Sequence, residues 1–163
     1  MLRHFLLSAL LSLSCLTAIA QQQAEPSTPT EKQFGADTVY FSVLNTSFLS
    51  PDVARSYGLV RGDKKFLINV AIRRQQAGKD VAVEAQVTGS TSDLIHRTEL
   101  EFLEVAEQDA LYYIASFEID NTEKRDFRLQ IQAEGQRQSY DINFNNKLIE
   151  VFFIFIWNIT NNN

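Results

Sequence analysis

Phe66-Leu67-Ile68-Asn69-Val70-Ala71-Ile72-Arg73, then Ala77-Gly78-Lys79-Asp80, then Val81-Ala82-Val83-Glu84-Ala85-Gln86-Val87-Thr88 is the stretch that decides the fold. Phe66, Ile68, Val70 and Ile72 alternate with Leu67, Asn69, Ala71 and Arg73, a period of two that belongs to a strand. Ala77 to Asp80 is turn chemistry. Val81, Val83, Ala85 and Val87 then resume the alternation. Together these residues predict a β-hairpin with one buried face.

The same rhythm extends in both directions. Val39, Phe41 and Val43 alternate upstream. Downstream, a polar stretch from Thr88 to Asp93 separates the hairpin from a second group of strands. Within 97–105, Leu100 and Phe102 hold one phase while Leu103 and Val105 hold the other, which suggests a β-bulge or burial on both faces. Leu111, Tyr113, Ala115, Phe117 and Ile119 alternate after the Glu107-Gln108-Asp109 turn. Asp120-Asn121 breaks that run, Phe127, Leu129 and Ile131 resume it, and Gly135 turns the chain into Tyr140, Ile142 and Phe144. About seven strands with short polar turns predict an all-β, antiparallel, immunoglobulin-like sandwich. Its expected core is Phe66, Ile68, Val70, Val83, Ala85, Tyr113, Phe117, Leu129 and Ile131.

One segment departs from the strand period. Ser50-Pro51-Asp52-Val53-Ala54-Arg55-Ser56-Tyr57-Gly58 predicts a short helix near residues 51–57, capped by Ser50 and stopped by Gly58. Two turns are not stable alone, so the helix is expected to pack through Val53, Ala54 and Tyr57.

The 163 residues are 45% hydrophobic and carry a net charge of −5, which excludes a general nucleic-acid binder. Arg3 and His4 precede an apolar run to Leu16, and Ala18-Ile19-Ala20 forms a small-x-small site: residues 1–20 read as a cleaved signal peptide. The rival is a lipoprotein start at Cys15. It fits less well, because Ser12 and Leu13 stand where such a site wants a Leu and a small residue. Residues 21–35, rich in Gln, Pro and Thr, read as a flexible lead-in, and 36–146 as the sandwich. Residues 147–163 form an apolar, then Asn-rich tail too short to span a bilayer as a helix. Cleavage after Ala20 leaves no Cys and only His96, so the expected compartment is a bacterial periplasm and no disulfide is expected.

Catalytic chemistry finds no foothold. A Ser-His hydrolase needs His96, yet no nucleophile motif accompanies it. Zinc wants more His or Cys. Glu99, Glu101, Glu104, Glu107 and Asp109 lack the spacing of a calcium loop and read as a solvated face. No catalytic residue, metal ligand or cofactor is expected. The segment 45–63 is different, because it gathers polar side chains around a helix that a minimal sandwich does not need. Asn45, Tyr57 and Arg61 are its candidate ligand-binding residues.

Tyr40-Phe41-Ser42-Val43-Leu44-Asn45-Thr46-Ser47-Phe48-Leu49-Ser50-Pro51-Asp52-Val53-Ala54-Arg55-Ser56-Tyr57-Gly58-Leu59-Val60-Arg61 resembles the opening of the bacterial family called domain of unknown function 4426. Leu100-Glu101-Phe102-Leu103-Glu104-Val105 followed by Leu111-Tyr112-Tyr113-Ile114-Ala115 is a second, less specific match. The resemblance spans about residues 34–145, and the chain departs from the pattern after about Phe144. It implies a small exported β-rich domain and brings no known activity or catalytic residue. The reading that follows is a non-enzymatic binding or accessory module of the envelope. Its partner would be a protein or peptide, met through an edge strand or the 45–63 segment. The alternative is a hydrolase acting on an envelope polymer through a carboxylate pair that the spacing does not identify.

Overall fold

The computed structural model describes residues 30–93 and 95–149. Ten strands follow in chain order: β1 Glu31–Phe34, β2 Asp37–Asn45, β3 Lys65–Gln76, β4 Lys79–Ala82, β5 Ala85–Ser92, β6 Arg97–Glu99, β7 Leu103–Glu107, β8 Ala110–Glu118, β9 Glu123–Ala133 and β10 Tyr140–Leu148. A 3-10 turn, Thr46–Phe48, and helix α1, Pro51–Ser56, lie between β2 and β3. One sheet has the order β1-β2-β3-β8-β7, with β4 paired to β3, and the other has the order β10-β9-β5-β6. Every pairing is antiparallel. The seven longer strands, four against three, make the immunoglobulin-like arrangement that the alternation predicts. The additions are β1, β4 and β6, of four, four and three residues.

Three local expectations are corrected. Val81 to Val87 is not one strand. β4 turns back on β3, with Ala82 opposite Arg73, and the chain then crosses at Val83-Glu84 to begin β5 in the other sheet. The alternation survives the crossing because Val83 and Val87 are buried in the same interlayer core. The polar run Thr88–Ser92 is not a connection either; it pairs with β9 out to Ser92 opposite Asp126. At Gly89 an added Cβ would lie 2.7 Å from the Arg128 carbonyl oxygen and from Leu129 Cδ2, so this close strand approach requires glycine. Finally, the phase change in 97–105 is a switch of sheets. β6 belongs to the second sheet and β7 to the first, while Leu100 and Phe102 between them pack on the core. Strand pairing also begins at Glu31, within the stretch read as lead-in, and β10 continues past Phe144 to the buried Leu148. The tail beyond Ile149 and the leader lie outside the described residues.

The core follows the alternation. Of the nine residues expected there, eight are buried, and Ala85 packs against the same cluster half-buried. Five phenylalanines form a chain of ring contacts across both sheets: Phe66–Phe117 at 5.9 Å, Phe117–Phe127 at 5.5 Å, Phe127–Phe144 at 4.8 Å and Phe144–Phe41 at 4.8 Å. Offset and tilted pairs of this kind add to the burial of the rings themselves.

Among the described residues, two polar ties built on buried side chains join the sheets. The Tyr113 hydroxyl of β8 accepts the Ala85 amide at 2.7 Å, where the chain has just crossed. At the β2–β10 side, Asp37 is fully buried. Arg74 donates to it from Nε at 2.5 Å and from Nη2 at 2.8 Å, and the Tyr140 hydroxyl donates at 2.8 Å. The Arg74 hydrogen bond is the main reason that the Asp37 carboxyl is held below its ordinary range, with Tyr140 and the nearby charge adding to it against desolvation. Burial first, and then the neighbouring Asp37, push the Tyr140 hydroxyl up to about 12.

Two predictions follow from this packing. Ile68→Ala and Phe117→Ala should each cost about 2–5 kcal/mol in chemical denaturation, from lost transfer energy plus the cavity left behind. The tie should also shape stability against pH. A raised folded-state value for Tyr140 contributes stability that is complete below its ordinary 10.0 and lost as pH rises toward about 12. A lowered value for Asp37 contributes stability present above its ordinary 3.8 and lost as pH falls through the folded value. Tyr140→Phe should flatten the alkaline limb of a melting-temperature profile and only reduce the acid limb, which rests first on Arg74.

Candidate functional site

The excursion between β2 and β3 is held at its stem by buried polar side chains. Asn45 closes β2 and is buried; its Nδ2 donates to the Asp63 carbonyl at 2.6 Å, and its Oδ1 accepts the Ser47 amide at 2.8 Å. Thr46 is fully buried, with Oγ1 accepting the Gly62 amide at 3.1 Å and donating to the Lys65 carbonyl at 3.1 Å. Arg61 Nη2 donates to the Ser47 carbonyl at 2.8 Å from an exposed position. The two ends of the excursion are thus clasped side by side. Buried backbone groups that leave the sheet ladder need such partners.

Helix α1 forms for the reasons its sequence offers. Ser50 Oγ accepts the Val53 amide at 3.2 Å, Pro51 occupies the first turn, and Gly58 takes φ +66° just beyond the helix. Asp52 and Arg55 pair at 3.1 Å, but both are largely exposed, so the pair contributes little. The expectation that Val53, Ala54 and Tyr57 pack inward is corrected. Ala54 is buried, Tyr57 is half-buried at the end of the helix, and Val53 is 41% exposed. In a helix this short only one small residue faces the protein.

Asn45 and Arg61 act on the same clasp and both meet backbone groups, while Tyr57 sits at the far end of α1. Among its exposed side chains the excursion includes three large apolar ones: Phe48 is 70% exposed, Val60 65% and Val53 41%. A reading that looks for polar recognition groups overlooks these three. Their signal is that they fall in a segment with neither a strand nor a sustained helix period.

Elsewhere, acid-base chemistry finds little support. Asp93 accepts the amides of Ile95 and His96 at 2.6 Å each, which lowers its carboxyl, with His96 and Arg125 adding charge. His96 is thereby an exposed loop residue whose backbone is engaged. Buried Arg125 joins Glu123 at 2.7 Å and Asp93 at 3.9 Å. Asp37 and Asp93 are both shifted down, whereas a carboxylic general acid needs the opposite direction. Among the described residues no group of three or more His, Cys, Asp or Glu side chains is placed to hold a metal ion. No helix among them is long and apolar enough to cross a membrane.

A family model described as "Domain of unknown function (DUF4426)" matches residues 31–150. A crystal structure of a DUF4426 family protein from Pseudomonas aeruginosa is 37% identical, the match covering 74% of this chain and 94% of that one, with a TM-score of 0.65. Two structures of FetP from uropathogenic E. coli strain F11 are also similar. One is the protein as isolated after expression in the periplasm, at 9% identity, covering 76% of this chain and 95% of that one with a TM-score of 0.56. The other is a copper-bound variant, at 11% identity, covering 74% and 95% with a TM-score of 0.54. At those identities the likeness to FetP shows the fold alone. Among curated proteins none matches the chain.

The clasp yields a differential prediction. Asn45→Ala should cost about 1–3 kcal/mol, because the Ser47 amide and Asp63 carbonyl lose their buried partner. Arg61→Ala should stay within about 0.5 kcal/mol of the parent, as exposed substitutions usually do. Thermal melts of the two variants side by side check this.

Proposed function

The chain belongs to the DUF4426 family, and from that premise we propose that it is an exported, non-enzymatic binding or accessory module of the bacterial envelope. The observation that carries this reading is the exposure of Phe48, Val53 and Val60 on one internally braced excursion. Apolar side chains on a platform fixed by buried hydrogen bonds are the anatomy of an interaction surface, and insertions on rigid scaffolds commonly carry function. The partner class is a protein segment with apolar side chains. Asn45 and Arg61 position the surface in this reading, and Tyr57 borders it at the end of α1.

The leader-like sequence at 1–20 supports a periplasmic site of action. FetP, which shares the fold, was expressed in the periplasm, in keeping with this. Its copper is not carried over, since His96 is the single imidazole among the described residues and no three-ligand group surrounds it. No specific observation favours the hydrolase reading.

The test is a Phe48→Ser/Val60→Ser double variant. Removing exposed apolar side chains should leave the melting temperature within about 1 °C to 3 °C of the parent, the range that a small surface change produces in a domain of this size. Recovery of partners from a periplasmic extract on the immobilised protein should be lost. Undiminished recovery of the same proteins, or no specific recovery by the parent, would overturn the proposal.

A further inference from the structure

β2 and β10 face one another across the two sheets at a constant offset. The Tyr140 hydroxyl donates to Asp37, 103 positions earlier, at 2.8 Å. The Phe144 ring meets that of Phe41 at 4.8 Å, with the same separation along the chain. The two strands therefore run in one direction. The same offset carries Leu148, buried at the end of β10, to the level of Asn45, which closes β2 and opens the excursion. The chain thus leaves the second sheet at the end of the sandwich where the excursion leaves the first.

The distances are short. Packed sheets stand about 10 Å apart. Phe48 is three residues beyond Asn45, and Val60 is three residues before Asp63, whose carbonyl Asn45 holds. Three residues span at most about 11 Å, so both exposed side chains are rooted close to the clasp. The eight residues from Ile149 to Trp157 span up to about 28 Å, enough to reach them.

What leaves there is apolar. Val151-Phe152-Phe153-Ile154-Phe155-Ile156-Trp157, outside the described residues, is a run of seven without charge, proline or glycine. Such a run left in water is an aggregation hazard, and burial favours any apolar seat within reach. Phe48, Val53 and Val60 are a seat of the same chemistry. Tethering decides between occupants. A short linker gives its own segment an effective concentration in the millimolar range, which a free partner must overcome to displace it.

We propose that residues 151–157 dock in cis on Phe48, Val53 and Val60 and act as a built-in competitor for that surface. The inference rests on the reading of this surface as an interaction site, and names its resident occupant. A partner with apolar side chains then binds by displacing the segment, so its apparent affinity falls with the fraction of molecules in which the surface is open.

Trp157 is the single tryptophan of the chain, so its fluorescence reports on this segment without a label. Emission from the purified protein should be blue-shifted relative to the same protein in denaturant, and shielded from acrylamide. Phe48→Ser/Val60→Ser should move it to the red and open it to acrylamide, while the variant still melts cooperatively. Leu103→Ser, at an exposed apolar residue on the far edge of the first sheet, should change neither. A parent spectrum already at the denatured position, or a blue shift that the double variant leaves in place, would overturn the proposal. So would a blue shift that fades on dilution, since the seat would then belong to a second copy's segment. Phe152→Ser/Phe155→Ser separates this failure from that of the interaction reading. It should raise recovery of partners from the periplasmic extract by about threefold or more. Unchanged recovery by this variant would remove the competitor and leave the partner surface standing. A Trp157 response as expected, with no partner recovered by either protein, would support the docking and overturn the interaction reading.

Discussion

The carboxylate of Asp37 is enclosed by groups that come from both sheets, and the arrangement of the whole β2–β10 side depends on it. Arg74 reaches it from β3 with two hydrogen bonds and uses the same guanidinium to hold the Glu134 carbonyl at 2.9 Å. Tyr140 reaches it from β10, and Phe34 of β1 stacks on the Tyr140 ring at 4.3 Å. A buried charge is tolerated only with complete partners, and breaking such a pair typically costs about 3–5 kcal/mol. Apolar packing tolerates some sliding of one sheet over the other. A fully buried carboxylate with three fixed donors does not. The Phe41–Phe144 contact lies one strand-turn further along the same two strands, so the phenylalanine chain inherits its alignment from this tie.

How far this was legible in the sequence differs by residue. Val39 to Val43, Phe66 to Ile72 and Phe127 to Ile131 announce themselves, because one face is apolar and the other is not. β5 hides from that logic. Its inward positions include Gly89, which the close strand approach requires, and the buried Thr91, so half of a central strand looks like a polar connection. The crossing at Val83-Glu84 is equally invisible, since a strand that changes sheets without losing its phase gives a continuous alternation. Asp37 carries no marker at all. A carboxylate beside a run of apolar residues reads as a strand end, and its partners lie 37 and 103 positions away.

The candidate site shows the same division. Asn45 and Arg61 were visible as polar residues in an unusual place, and their bonds to Asp63, Ser47 and the intervening turn explain why the excursion keeps its shape. Phe48, Val53 and Val60 were hidden, because apolar residues are assumed to face a core until a structure shows otherwise. The chemistry of the segment is therefore distributed: buried Asn45 and Thr46 hold the backbone, while Phe48, Val53 and Val60 are exposed beyond them.

The claim on which the functional account rests is that the excursion is a rigid platform and not a loose loop. Residue-resolved amide hydrogen exchange measures this directly, because among the described residues the Ser47 and Gly62 amides donate to the Asn45 and Thr46 side chains. The account predicts that both amides exchange with protection approaching that of the neighbouring β3 amides. Exchange at Ser47 and Gly62 near the unprotected rate, with β3 still protected, would contradict it.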